Sequence, residues 1–237
     1  MAQKLGVLYL IPTPLGETLL ETIAPKYNLQ LIDSIKYFIA ENAKAARAFL
    51  KLAGISRPLQ SLHISELNEH IPVTALKELI APLLAGHDVG LVSDAGCPAV
   101  ADPGANLVRF AHEHGIKVAP LVGPSSILLA LMASGLNGQK FCFHGYLPAN
   151  KTERITTLKQ LEIESAKLKQ TQLFIETPYR NNAMLEDILA ACKHTTQLCV
   201  AYDLTTSSET IRTQSISQWR KAIPDLNKRP AIFLLLG

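Results

Sequence analysis

Val89-Gly90-Leu91-Val92-Ser93-Asp94-Ala95-Gly96-Cys97-Pro98-Ala99-Val100-Ala101-Asp102-Pro103-Gly104 begins as a short apolar run and continues into a segment rich in Gly, Pro and Asp. The run reads as a buried strand, and the segment after it leads into a helix predicted over Ala105–His114 and ended by Gly115. A strand followed directly by a helix is the repeating step of a parallel α/β sheet. Upstream, Leu5–Ile11 reads as a first buried strand closed by Pro12-Thr13-Pro14-Leu15-Gly16, with strand candidates in Leu29–Ile39 and a helix at Asn42–Leu52. The spacing predicts another helix over Val73–Ala85, which Pro82 should kink or shorten. Downstream, Val118–Val122 reads as a strand and Ser125–Ser134 as a helix stopped by Gly135. This order implies a mainly parallel sheet with right-handed crossovers.

The texture changes after Asn137-Gly138, so the expected division is residues 1–137 and 138–237. In the second part Phe141–Gly145, Leu173–Glu176, Leu198–Asp203, Glu209–Ser215 and Ala231–Leu236 read as strands. Lys151–Leu168 and Asn182–Cys192 read as helices, with a short one around Trp219. The chain has 237 residues, 48% hydrophobic and 18% charged, which excludes disordered, collagenous and disulfide-scaffold classes. The longest apolar runs fall well short of the roughly 20 residues that cross a bilayer, and the start lacks the pattern of a secretory leader, so a cytoplasmic, non-membrane protein is expected. Cys97, Cys142, Cys192 and Cys199 form no Cys-x-x-Cys pair, and His112 and His114 point to different helix faces, so no metal site is expected. Residues 1–137 carry a net charge of −1 and residues 138–237 of +4, a tilt compatible with a polyanionic partner.

The Ser93–Gly104 loop leaves the carboxyl end of a strand, where open α/β sheets bind ligands. The Val122-Gly123-Pro124-Ser125-Ser126 turn also joins a strand to a helix, placing Ser125 as a cap with free backbone N–H groups at the positive end of the helix dipole. Neither loop has the Gly-x-x-x-x-Gly-Lys-Ser/Thr pattern, and Asp94 and Asp102 would repel a triphosphate. No Gly-x-Gly-x-x-Gly follows the first strand, so the dinucleotide fingerprint is missing too. A small ligand bearing a cation and a carboxylate suits these loops, and S-adenosylmethionine is one such molecule.

Five segments in order carry a resemblance across nearly the whole chain. They are Leu8-Tyr9-Leu10-Ile11-Pro12-Thr13-Pro14-Leu15-Gly16; Ser93–Pro98 with Asp102-Pro103-Gly104; Gly123-Pro124-Ser125-Ser126 with Ala133-Ser134-Gly135-Leu136; Phe143-His144-Gly145-Tyr146-Leu147-Pro148; and Glu176-Thr177-Pro178-Tyr179-Arg180. Together they resemble the tetrapyrrole methylase superfamily, and within it the bacterial enzymes that methylate the ribose 2′-hydroxyl of small-subunit ribosomal RNA. The resemblance implies two α/β domains, the first sheet mainly parallel and the second mixed, with a cofactor cleft between them, and a homodimer. It implies S-adenosylmethionine as donor, held by Asp94, Cys97, Ser125 and Ser126, with the segments at Glu176, Leu204 and Ala231 around the adenosine. Ribosomal RNA or the small ribosomal subunit is the implied partner. A tetrapyrrole or other small-molecule acceptor, and a non-catalytic donor-binding paralogue, are the alternatives.

The departures from the pattern fall on the acceptor side. Glu-Asp-Thr-Arg becomes Glu41-Asn42-Ala43-Lys44, which removes an acid that could act as general base, and Glu-Leu-Thr-Lys becomes Asp203-Leu204-Thr205-Thr206, with Glu209 following. Gly-Asn-Leu-Gly-Asp becomes Gly16-Glu17-Thr18-Leu19-Leu20, and the sequence closes at Gly237 where the RNA enzymes continue. Glu41 and Arg180 are the candidates for acceptor chemistry, weighed against helix-start electrostatics for the first and a structural ion pair for the second. Lys151 and Arg154 could meet an anionic acceptor, but cations opening a surface helix are more often solvated. His144 and Trp219 read as packed side chains.

Overall fold

The computed structural model describes residues 4–67 and 73–237; Met1, where the expected absence of a leader begins, lies outside them. Contacts divide the chain into two compact units, Met1–Ser125 and Ser126–Gly237. The first contains β1 (Val7–Ile11), α1 (Leu20–Ile23), α2 (Lys26–Ser34), β2 (Tyr37–Ala40), α3 (Ala43–Leu52), β3 (His63–Glu66), α4 (Val73–Leu84), β4 (Val89–Val92), α5 (Gly104–Glu113) and β5 (Lys117–Pro120). Its five strands lie in the order β3-β2-β4-β1-β5, and every pairing is parallel. All four residues of β4 are buried, as expected for a central strand covered on both faces. One face packs Leu76, Ile80, Leu83, Leu107 and Phe110 from α4 and α5. The other packs Ile32, Ala46, Phe49 and Leu50 from α2 and α3.

This order creates a switch point. From β1 the chain moves past β4 toward β2, whereas from β4 it moves past β1 toward β5. The connections leave the carboxyl ends of these two adjacent strands in opposite directions along the sheet, the position at which open α/β sheets bind ligands.

The second unit holds α6 (Ser126–Ser134), β6 (Phe141–Tyr146), α7 (Lys151–Leu168), β7 (Thr171–Ile175), α8 (Asn181–Ala191), β8 (Gln197–Tyr202), β9 (Thr210–Ser215), α9 (Ile216–Trp219) and β10 (Ala231–Leu236). Its sheet has the order β6-β7-β10-β8-β9, with β6 and β7 parallel and the other pairs antiparallel. The helix α6 is tied to this sheet where Thr213 Oγ1 donates to Ser134 O at 2.7 Å. Because β10 runs against both β7 and β8, the carboxyl ends of those two strands and the start of β10 share one sheet edge.

The sequence reading and the structure differ in three places. Residues 29–34 lie in α2, where buried Asn28 and Ile32 are one helical turn apart, and only Tyr37–Ala40 is strand. The strand β3 had no sequence counterpart. Pro82 does not shorten α4 by more than one residue, since the helix runs to Leu84, and its carbonyl accepts the His87 N–H at 2.9 Å beyond the helix end.

Candidate functional site

At the carboxyl edge of the first sheet, three turns are fastened together. Thr13 and Gly96 form a two-way backbone bridge at 2.9 and 3.1 Å. The buried Thr13 hydroxyl donates to Ser93 O at 3.2 Å, and Ser93 Oγ donates to Gly96 O at 2.8 Å. Gly96 has φ +75°, the left-handed region that glycine enters without steric cost. The third turn joins through Cys97, whose thiol donates to Pro124 O at 3.4 Å, and through Asn28 Nδ2, which donates to Val122 O at 2.7 Å. Burial pushes the Cys97 thiol pKa up, partly opposed by a hydrogen bond with Ser125.

Between Gly96 and α5 the chain is strained. Ala99 and Ala101 adopt φ of 66° and 56°, conformations uncommon for residues with a Cβ and concentrated at functional sites. Asp102 Oδ1 accepts from Ala99 N at 3.2 Å and Gly104 N at 2.7 Å, tying the two ends of this stretch, and sets a negative charge at the start of α5. Asp94, exposed at the crest of this loop, has its carboxyl pKa raised by partial burial and then by the charge of Asp102.

That shift fixes a pH dependence. A carboxyl with a higher pKa folded than unfolded binds more protons in the folded state across the window from its ordinary 3.8 up to the raised value. Stability therefore falls as pH rises through that window, and the penalty persists at neutral pH. Asp94→Asn is expected to melt at or above the wild type at neutral pH, with the gap closing as pH falls below the ordinary aspartate range. Thermal unfolding across a pH series checks it; a variant less stable than wild type at neutral pH alone contradicts it.

Glu41 follows β2, whose Ala40 pairs in register with Val92 of β4, so it lies on the same sheet edge. The helix α3 behind it is capped by Asn42, whose Oδ1 accepts from Lys44 N at 2.9 Å and Ala45 N at 3.2 Å. Glu66 Oε1 accepts from Ala43 N at 2.9 Å.

In the second unit, the shared edge gathers Glu176, Arg180, Leu204 and Ala231. Glu176 is buried; its Oε1 accepts from Thr177 N at 2.6 Å and from Arg180 Nη2 at 2.7 Å. Leu204 is buried, and Ala231 opens β10 opposite Tyr202. Among the described residues, three buried polar side-chain atoms lack a hydrogen-bond partner: Glu176 Oε2, Asn181 Oδ1 and Thr205 Oγ1. All three belong to this edge. Asn181 Nδ2 donates to Arg229 O at 2.7 Å, and Lys228 N donates to Pro178 O at 3.0 Å, joining the turn before β10 to the turn after β7.

Ser126 opens α6, directly after Ser125. The reading of Arg154 as solvated is corrected: it is buried and paired with buried Asp187, with Nε to Oδ2 at 2.8 Å. Lys151 is exposed and stands 3.5 Å from the same carboxylate. His144 Nε2 lies 2.6 Å from Gln172 Oε1, and buried Trp219 donates its indole N–H to Leu198 O at 2.8 Å. Thr13, Ser93, Asn181, Thr205 and Arg229 were not singled out by sequence. A hydroxyl flanked by prolines at a strand end, as at Thr13, was the usable signal for the first. Among the described residues no group of three or more His, Cys, Asp or Glu could hold a metal ion, and no helix is long and apolar enough to cross a membrane.

The sequence profile of the family described as Tetrapyrrole (Corrin/Porphyrin) Methylases matches residues 7–219, which takes in the turns at both sheet edges. The chain belongs to the tetrapyrrole methylase family. Among tetrapyrrole methylase relatives, the ribosomal RNA small subunit methyltransferase I of Escherichia coli O157:H7 is 35% identical over 234 residues, 98% of this chain and 77% of that one. The protein of the same name from Haemophilus influenzae is 32% identical over 242 residues, covering 100% of this chain and 81% of the relative. The crystal structure of the methyltransferase CobJ superposes with a TM-score of 0.64 over 99% of this chain and 94% of that one, at 16% identity, a likeness of fold.

Proposed function

We propose that this tetrapyrrole methylase transfers a methyl group from S-adenosylmethionine to a ribose 2′-hydroxyl of small-subunit ribosomal RNA. The observation that carries the reading is the likeness, over 98–100% of this chain and 77–81% of the relatives, to proteins named ribosomal RNA small subunit methyltransferase I. The residues fit the donor. Asp94 and Asp102 supply negative charge suited to a sulfonium, and Ser125 and Ser126 at the start of α6 suit a carboxylate. Glu176 Oε2 and Asn181 Oδ1 are acceptors and Thr205 Oγ1 can donate or accept, so an adenosine with its hydroxyl and amino donors satisfies them. Cys97, Leu204 and Ala231 complete the proposed donor set.

The bound donor supplies an electrophilic methyl carbon. The protein's part is to align the acceptor oxygen and take its proton. Glu41, on the same sheet edge as Asp94, is the proposed proton acceptor. Arg180 keeps a half-exposed guanidinium beside Glu176, suited to a phosphate of the acceptor. An RNA substrate of the ribosome also carries the cytoplasmic location and, with the family resemblance, the homodimer.

The test is to incubate the protein with labelled S-adenosylmethionine and either small ribosomal subunits or porphyrin precursors, then digest and resolve the products. A 2′-O-methylated nucleoside is expected. Label in a porphyrin precursor favours the small-molecule reading, and donor binding without transfer to any acceptor favours a paralogue without catalysis. Ser125→Trp, which adds bulk to the half-buried turn in front of α6, is expected to weaken calorimetric donor affinity by about tenfold, with thermal melting used to establish that the variant is folded.

A further inference from the structure

Arg229 fastens three segments of the second unit's edge to one another. Its Nε donates to Asp203 Oδ2 at 2.7 Å, and its Nη2 reaches the same oxygen at 2.5 Å and Ser208 O at 3.3 Å. The guanidinium carbon lies 4.4 Å from the centroid of the Tyr202 ring, at the end of β8. Its backbone carbonyl accepts from Asn181 Nδ2 at 2.7 Å. One residue thus links the turn after β7, the turn after β8 and the approach to β10.

The turn after β8 needs such a brace. Asp203 and Thr205 have φ of 52° and 69°, left-handed conformations that residues with a Cβ hold only where their surroundings impose them. The constraints present are the Asp203–Arg229 pair, Ser208 Oγ on Asp203 Oδ2 at 3.0 Å, Asp203 N on Pro230 O at 3.0 Å, and Thr205 N on Glu209 Oε2 at 2.7 Å. Two of the three unpartnered buried polar atoms, Thr205 Oγ1 and Asn181 Oδ1, belong to segments that Arg229 touches directly, and the third, Glu176 Oε2, lies at the start of the turn that ends at Asn181. The guanidinium itself is committed to Asp203, Ser208 and Tyr202, so it holds the edge in shape. The pair is also partly exposed, with side-chain accessibilities of 33% and 14%, and pairs of that kind add little to global stability.

We infer that Arg229 is a positioning residue for the donor: by bracing the Asp203–Thr206 turn against the turn after β7, it holds buried polar atoms of both turns where the adenosine of S-adenosylmethionine meets them. The inference rests on the donor-binding reading above. It places the effect of Arg229 on donor affinity and only weakly on folding or on the methyl-transfer step.

Steady-state kinetics and calorimetry with S-adenosylmethionine and its demethylated product test it in Arg229→Ala, Arg229→Lys, Asp203→Asn and the Arg229→Ala/Asp203→Asn double variant. Arg229→Ala is expected to raise the donor KM and the product Kd by about tenfold with kcat within about twofold, since the brace shapes the site without touching the reacting atoms. Arg229→Lys keeps the charge but loses the bidentate, ring-stacked geometry, so it should recover only part of the affinity and serves if the alanine variant folds poorly. The double variant should bind no more weakly than Arg229→Ala alone, because both substitutions break one connection. Unchanged donor affinity in the folded Arg229 variants, an additive double variant, or a fall in kcat and Tm at constant KM overturns the inference and leaves the methyltransferase reading standing. A wild-type protein that binds neither the donor nor its product overturns both.

Discussion

Gly123→Val is expected to reduce donor affinity by roughly ten- to a hundredfold, the largest loss expected from a single substitution in the first unit. A Cβ at this position would lie 2.4 Å from Cβ and 2.7 Å from Cγ of Pro12, far inside van der Waals contact. The obstacle is a proline ring with a fixed φ, so no rotamer change relieves it. One of the two turns must move. Overpacking of this kind costs about 1–3 kcal/mol, and if the strain is taken up by displacing the turns it appears in binding at about 1.4 kcal/mol per tenfold. The displacement does not stay local. Thr13, next to Pro12, is bridged to Gly96, and Pro124, next to Gly123, accepts from the Cys97 thiol, so movement of either turn drags the Ser93–Gly104 loop with it. Gly138→Ala is the matched control, because an added Cβ there meets nothing within 4 Å. Calorimetric titration with S-adenosylmethionine should separate the two variants; equal affinities would mean that the fastened turns do not hold the donor.

The parts of this fold that sequence revealed share one property: their burial is written in consecutive residues. Val89–Val92 and Ala231–Leu236 are nearly all buried and read as strands at once. The strand β3 is the opposite case. His63-Ile64-Ser65-Glu66 is an edge strand with only Ile64 partly covered, and its place is set by pairing with β2, which leaves no trace in composition. The α2 segment misled because Leu29, Leu31 and Ile32 satisfy short windows of either period, and the turn-spaced burial of Asn28 and Ile32 is visible only in three dimensions.

The candidate site divides along the same line. Loops that follow a strand and open a helix announce their position by topology, so the turns at Asp94, Cys97 and Ser125 could be found from the order of elements alone. The network around Arg229 could not. Asp203 and Arg229 are 26 residues apart and meet only because β10 inserts between β7 and β8, an arrangement that no local pattern encodes. Arg154 was misjudged for the same reason: its partner lies 33 residues downstream on another helix.

That partner makes Arg154→Met the substitution with the largest expected effect on stability. Arg154 and Asp187 are 6% and 3% exposed, and the arginine also donates to Ala149 O at 2.8 Å and Pro148 O at 3.3 Å, fixing the turn that leads into α7. Removing one member of a buried pair leaves an uncompensated charge and typically costs 3–5 kcal/mol. Here Lys151, 3.5 Å from Asp187 Oδ1 but 73% exposed at its side chain, supplies partial compensation. The expected loss is therefore about 3 kcal/mol, at the lower end of the range. For a unit of this size that corresponds to a fall in melting temperature on the order of 10 °C or more. A second substitution decides the cause. If desolvated charge is the penalty, Arg154→Met/Asp187→Leu should be more stable than Arg154→Met alone, because an apolar pair of similar volume carries no charge to desolvate. If the carbonyl bonds to residues 148 and 149 dominate, the double variant should be no better than the single one. Either result is read by chemical denaturation, with an unchanged denaturant slope required for the comparison. If the chain binds RNA as proposed, a folded Arg154→Met variant should keep that affinity, since a guanidinium spent on Asp187 and two carbonyls has no free face for a phosphate.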